Sequence, residues 1–295
     1  IIGTFTIREQ LAFVQQKNLG FQKEQILTFN SGFVNTPNAG IDNVFASSLS
    51  RKQILESELL GLSGIQQIAT SSFTPVQTRG WFNVSFPNEQ NQAQPFHANI
   101  VDENFIPTLG IEILNGRNFS EENASDKERA IIVNQAFVDY FNLEDPIGKR
   151  IPGPNFLDHE IIGVVNNFHY ESLHSPIEPL VLTQKGQIVF SGINNMNLRN
   201  SAAPKYTVKL TTDDLQATIA GIRDVWEDVA PGIPFDYSFV DEALDSQYRQ
   251  EQRLSKIVTS ASLLTVLIAG LGLFGLASLM VVRRTKEIGV RKVLG

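Results

Sequence analysis

The sequence predicts an α+β fold built beside a membrane, and three observations lead there. The order strand, helix, strand occurs twice, near residues 24–72 and again near 205–240. A segment of different character, 76–203, separates the two occurrences. Finally, Ile257–Val282 runs 26 residues without an Asp, Glu, Lys, Arg or His. Two similar strand–helix–strand units imply one α/β subdomain formed by both. The intervening segment is then an inserted subdomain of mixed α+β character.

Taken in order, residues 1–20 open on IIGTFTI, which has neither the basic start nor the cleavage site of a signal peptide. We read it as the outer end of a truncated membrane helix, continued by REQLAFVQQK as a stalk that stops at Gly20. Ile7, Leu11 and Val14 fall at i, i+4, i+7 and form its apolar stripe. Residues 21–75 and 204–240 hold the two units. The first is a strand EQILTFN, a helix over about 45–61 and a strand at 64–72. The second is KYTVKL, a helix capped by Thr212 or Asp213 and ended by Pro231-Gly232, and FDYSFV.

The insertion begins with two strand-like pieces, GWFNVSFP and FHANIV, on either side of a polar loop. A short helix VDENFIPTLG follows, then a turn at NGRNF, a strand AIIV, a helix QAFVDYF capped by Asn134, and a strand HEIIGVV. The Asn-, Ser- and Gly-rich stretch 184–204 reads as a loop. Asp241 is the expected N-cap of a stalk helix over 241–256 with Leu244, Tyr248 and Leu254 as its stripe. Packing of that stripe on Ile7, Leu11 and Val14 would return both chain ends to the membrane side by side.

The run Ile257–Val282 exceeds the roughly 20 residues that a bilayer core of ~30 Å requires of a helix. The overall charge of −7 conceals an asymmetry, because the thirteen residues after it carry Arg283, Arg284, Lys286, Arg291 and Lys292 against a single acid, Glu287. The preceding 282 residues hold 19 basic and 30 acidic side chains, a net −11. By the positive-inside rule the segment 283–295 is cytoplasmic and the acidic body faces outward. Such a body is a poor partner for nucleic acid.

No chemical site emerges from the motifs. Zero cysteines exclude a disulfide framework and any thiolate ligand or nucleophile. The four histidines, His97, His159, His169 and His174, show no metal-ligand spacing. No P-loop and no G-x-S-x-G elbow is present. Gly270, Gly272 and Gly275 spell G-x-G-x-x-G, yet inside an apolar helix rather than between a strand and a helix. There they mark a face for close helix packing. We therefore expect no enzyme activity and no cofactor.

Two sets of residues carry a family resemblance. The tail Arg284-Thr-Lys-Glu-Ile-Gly-Val-Arg-Lys-Val-Leu-Gly295 after a Gly-rich membrane helix resembles FtsX/MacB-type ABC transporter permeases. Independently, Val101-Asp-Glu-Asn-Phe105, Leu109-Gly-Ile111, Asn115-Gly-Arg-Asn-Phe119, Ile132-Val-Asn-Gln-Ala-Phe137, Asp145-Pro-Ile-Gly-Lys149 and Ile161-Ile-Gly-Val-Val165 resemble the periplasmic core domain of MacB-like permeases. The resemblance implies that the paired units are the porter subdomain and the insertion the sabre subdomain. It implies a bacterial inner-membrane permease with most of the chain in the periplasm, a second permease subunit in a homo- or heterodimer, and a separate or fused cytoplasmic ABC ATPase. A periplasmic adaptor or hydrolase would be a further partner. ATP binding would move the periplasmic domain, a process called mechanotransmission. Arg284, Lys286, Glu287, Gly289, Arg291 and Lys292 would form the start of the coupling helix on the ATPase. An FtsX-like regulator of a cell-wall hydrolase and a lipoprotein-releasing permease are the alternatives within the same family.

Overall fold

A computed structural model describes residues 18–32, 41–75, 81–87, 92–153, 156–171, 175–191 and 204–294. Residues 18–245 form one compact unit, and the described part of the other is 246–294.

The compact unit contains two sheets. The first is built from β1 (Ile26–Asn30), β2 (Ile65–Ser71), β9 (Lys205–Leu210) and β10 (Tyr237–Phe239) in the order β10-β1-β9-β2. All of its pairings are antiparallel. Helix α1 (Ile41–Leu59) joins β1 to β2, and α6 (Leu215–Val229) joins β9 to β10. Each strand–helix–strand unit is therefore split: its two parallel strands leave a gap that a strand of the other unit fills. That interlock explains why two units distant in sequence make one sheet. Leu55 and Leu59 of α1 meet Ile222 and Trp226 of α6 over Leu27, Phe29, Ile68, Tyr206 and Val208 in one buried cluster. Trp226 presents its ring edge to Phe29 and donates its indole N–H to the Ile233 carbonyl at 2.9 Å, so the polar atom of this large core side chain is satisfied.

The second sheet is mixed. Strands β3 (Phe82–Pro87), β4 (Ala93–Ile100), β5 (Ile113–Gly116), β6 (Ala130–Asn134), β7 (Glu160–Val165) and β8 (Leu180–Thr183) lie in the order β3-β4-β8-β6-β7-β5. Helices α2 (Phe105–Leu109), α3 (Ala124–Arg129), α4 (Gln135–Tyr140) and α5 (Gly186–Phe190) complete this part of the chain. Central β6 and β8 are buried along their whole length, which is why they read as short apolar runs with no alternation. Asn134 ends β6 and caps α4. Its Oδ1 accepts from the Phe137 and Leu180 amides, both at 2.9 Å, and its Nδ2 donates to the Glu178 carbonyl at 2.9 Å. One side chain thus starts the helix and fixes the entry to β8.

Several local expectations change. The turn expected at 115–119 begins as strand β5, and the chain bends at Gly116, whose φ of +74° brings its Cα face against the Ile162 carbonyl. A β-carbon does not fit there, so glycine is required. Part of the expected loop at 184–204 is helix α5; residues 192–203 lie outside the described set. Strand β8 was not anticipated, because a four-residue apolar run carries too little periodicity to register. Asp241 is not the cap of the last helix. That helix, α7, begins at Val240 and runs 55 residues to Leu294, with Asp241 in its first turn accepting from the Glu242 amide at 2.7 Å.

Candidate functional site

Two features stand out from the scaffold: a buried ion cluster where the sheets meet, and α7 itself.

The sheets join edge to end. Ser71 at the end of β2 bridges Val101 just beyond β4, the Ser72 amide donates to the Ile100 carbonyl at 2.8 Å, and the Asp102 amide donates to the Thr70 carbonyl at 3.0 Å. Asp102, 1% exposed, is the hub. Its Oδ2 accepts from the Thr70 amide at 2.6 Å and lies 3.0 Å from Lys52 Nζ, while Oδ1 accepts from the Asn104 amide at 3.1 Å. Lys52, on α1, also meets Glu103 at 3.1 Å and Glu56 at 3.5 Å. Asn104 donates to Glu56 Oε1 at 3.0 Å and to the Ile68 carbonyl at 3.1 Å. Gln184, beyond β8, donates to Glu103 Oε2 at 3.1 Å.

A lysine buried this deeply with three carboxylates has an unusual electrostatic position. Burial alone would lower its pKa, but Asp102, Glu103 and Glu56 outweigh burial and hold the ammonium above its usual value. Burial pushes the Asp102 carboxyl up to about 7, against the pull of Lys52. An open cleft of about 280 Å³ runs beside the cluster, lined in part by Phe45, Leu49, Lys52, Glu103, Lys127 and Gln184. A nucleophilic lysine must be held neutral, and this one is held protonated. The cluster has the chemistry of a joint: it ties α1 and β2 of one sheet to the β4–α2 connection of the other.

Helix α7 contains a segment, Lys256–Lys286, of 31 residues with mean hydropathy 2.3 and none of its apolar window buried. Leu263, Leu267, Leu271, Phe274 and Met280 are all more than half exposed. A core helix of a soluble fold would bury that surface. Thr265 and Thr285 donate their hydroxyls back to the Ala261 and Val281 carbonyls, both at 2.8 Å, so these polar groups are satisfied within the helix.

The anticipated residues fall as follows. Gly270, Gly272 and Gly275 lie on α7 with open space around each. Arg284, Lys286, Arg291 and Lys292 are exposed on its last turns. The backbone of Gly289 is helical, whereas the side chain of Glu287 lies outside the described residues. Leu244 is buried, 6% exposed. Ile7, Leu11 and Val14, and the side chains of Tyr248 and Leu254, lie outside the described residues. Of the histidines, His159 engages both ring nitrogens locally, accepting from the Ile151 amide at 2.8 Å and facing the Leu157 carbonyl at 2.5 Å, and burial lowers its pKa. In the sequence, Asp102-Glu103-Asn104 is legible only as part of a family resemblance and not as a site. Three polar residues directly after the buried run FHANIV are the signal that could have marked it, since buried acids need partners.

Among the described residues, a split-βαβ sheet joined to a mixed sheet and one helix long and apolar enough to cross a membrane define the class as an α+β protein with a candidate membrane span. The chain belongs to the MacB-like periplasmic core domain family, whose model matches residues 7–225. It is 22% identical over 255 residues to the macrolide export ATP-binding/permease protein MacB of Aggregatibacter actinomycetemcomitans, covering 85% of this chain and 35% of that protein. It is 22% identical over 277 residues to an uncharacterized ABC transporter permease, YknZ, of Bacillus subtilis, covering 88% and 60%. The chain thus spans between about a third and three fifths of the length of these curated relatives. Among solved structures, the periplasmic region of MacB from Actinobacillus actinomycetemcomitans aligns with a TM-score of 0.43 and 16% identity over 79% of this chain and 97% of that one.

Proposed function

We propose that this chain is part of the permease of a MacB/FtsX-type ABC transporter, and that its outward body carries conformational work driven by ATP in the cytoplasm. The observation that carries this reading is α7: one helix of 55 residues starts directly at the end of β10 and includes the membrane-length segment and the basic end. No Gly or Pro interrupts it between Val240 and Ala269. A helical stretch without Gly or Pro resists kinking, which supports a role for Val240–Ala269 in carrying movement between the membrane-length segment and the sheet.

On this reading the four-stranded sheet with α1 and α6 is the porter-like subdomain (21–75 and 204–240), and the six-stranded sheet is the sabre-like one (76–203). The basic end, with Arg284, Lys286, Glu287, Gly289, Arg291 and Lys292, meets a cytoplasmic ABC ATPase. A second permease subunit packs along the Gly270, Gly272 and Gly275 region. The body lies in the periplasm and the helix in the inner membrane. Orientation is the first thing to test, and the absence of native cysteine makes it direct. Single cysteines introduced at Glu227 and at Arg291 are exposed in whole cells to a membrane-impermeant maleimide. The expected result is labelling at 227 and protection at 291 until the membrane is permeabilised. Labelling of both, or the reverse pattern, overturns the proposal.

A further inference from the structure

We infer that the outer end of the membrane segment carries a binding face for anionic phospholipid headgroups, formed by Arg249, Arg253 and Lys256. This rests on α7 crossing the membrane, not on the identity of any transporter partner. The apolar segment begins at Lys256, and Arg253 and Arg249 follow one and two helical turns outward on the same helix. At 100° per residue the three positions fall within about 60° of one another. Leu244, Tyr248 and Leu254 lie on roughly the opposite side, as does Glu251. If the apolar stripe packs against another helix, the basic face is the one left toward the membrane surface.

Length brings that face to the lipid. The 26 uncharged residues measure about 39 Å as a helix, against a hydrocarbon core of ~30 Å. Tilting absorbs such an excess, here by about 40°. With Lys256 at the core edge, that tilt leaves Arg253 and Arg249 only about 3 and 8 Å beyond it. Both distances fall inside the headgroup layer or within one Debye length of it. Asp245, the nearest acid on the same side, lies one turn from Arg249 and offsets part of its charge, but it begins about 12 Å along the helix from Arg253 and about 16 Å from Lys256, where it is screened. Arg253 and Lys256 are exposed. A phosphate offers Arg a bidentate acceptor and Lys a point charge, so lipid phosphates suit all three.

The test uses the full chain in nanodiscs of phosphatidylcholine with 30% phosphatidylglycerol, and native mass spectrometry counts the lipids that stay bound. Basic residues near an anionic surface contribute on the order of five-fold each to the preference. The variant Arg249→Gln/Arg253→Gln/Lys256→Gln should lose more than ten-fold of its phosphatidylglycerol enrichment. Arg249→Lys/Arg253→Lys should retain it, which separates charge from helix shape. Arg283→Gln/Arg284→Gln/Lys286→Gln, at the other membrane face, should leave the outer-face lipids bound. Equal retention by the wild type and the outer triple variant overturns the inference. A chain that does not enter the disc overturns the membrane-crossing reading itself.

Discussion

Removing Lys52 tests the joint between the sheets most directly. In Lys52→Met the aliphatic stem is kept and the ammonium lost. Asp102, 1% exposed, keeps the Thr70 and Asn104 amides but loses the countercharge 3.0 Å away. Glu103 and Glu56, which Lys52 also served, then repel it. Breaking a buried pair by removing one partner costs about 3–5 kcal/mol. The carboxyl can escape part of that by taking up a proton, which makes the loss depend on pH. In the wild type Asp102 has a folded pKa of about 7, raised by burial above the unfolded carboxylate value. Its contribution is therefore present in acid and is lost as pH rises to about 7. Without Lys52 the folded pKa rises further, so the variant goes on losing stability above pH 7, by about 1.4 kcal/mol per unit. The penalty at pH 8 should exceed that at pH 6 by about that amount. Urea unfolding of the full chain in detergent reads this out, with Trp226 reporting the four-stranded sheet and Trp81 the region beside β3. A loss under about 1 kcal/mol at pH 8, or an equal loss at both pH values, refutes the argument. Lys52→Met/Asp102→Asn should recover much of the loss, because the uncompensated buried charge is gone.

Three further outcomes follow from local geometry. Asn134→Ala removes three hydrogen bonds and leaves the Leu180 amide buried without a partner, so urea unfolding should show a loss of about 2–3 kcal/mol. Arg249→Pro deletes an interior helical hydrogen bond of α7; membrane insertion should survive while ATPase activity of the reconstituted transporter uncouples from export, and unchanged export would count against a lever. Arg291→Glu/Lys292→Glu should weaken pull-down of the cytoplasmic ATPase at least ten-fold, and undiminished capture removes these two residues from the coupling surface.

Legibility in the sequence followed the range of the forces involved. The helix at 215–229 and the strand at 205–210 were readable because caps and alternation are local. Asn134 does cap α4, whereas the cap of α6 is Asp214, which accepts from the Ala217 amide at 3.1 Å, and not Thr212 or Asp213 as expected. What the sequence could not carry was the interlock of β1 and β9, since register between strands some 180 residues apart is written in packing alone. The Lys52 to Asp102 contact is hidden for the same reason: each residue reads as an ordinary surface charge until the fold brings α1 onto the end of β4. The basic end of α7 was legible because charge asymmetry around an apolar run needs no tertiary information.

The strand register bears on the stalk. Leu27, at the start of β1, pairs with Phe239, at the end of β10, so the chain enters and leaves the four-stranded sheet at the same end. Helix α7 departs from that end one residue later, at Val240. A segment preceding β1 that also runs to the membrane needs to cover little lateral distance to meet α7, which favours packing of Ile7, Leu11 and Val14 on the stripe of Leu244, Tyr248 and Leu254. Cysteine pairs make this measurable in a chain that has none of its own. Among Leu11→Cys/Tyr248→Cys, Val14→Cys/Leu244→Cys and Ile7→Cys/Leu254→Cys, antiparallel exit from one sheet end predicts efficient disulfide formation for at least one pair. A control pair with Arg253→Cys, on the opposite face of α7, should not cross-link. Formation in the control alone would place the stalk contact on the basic face and reverse the assignment of the two faces.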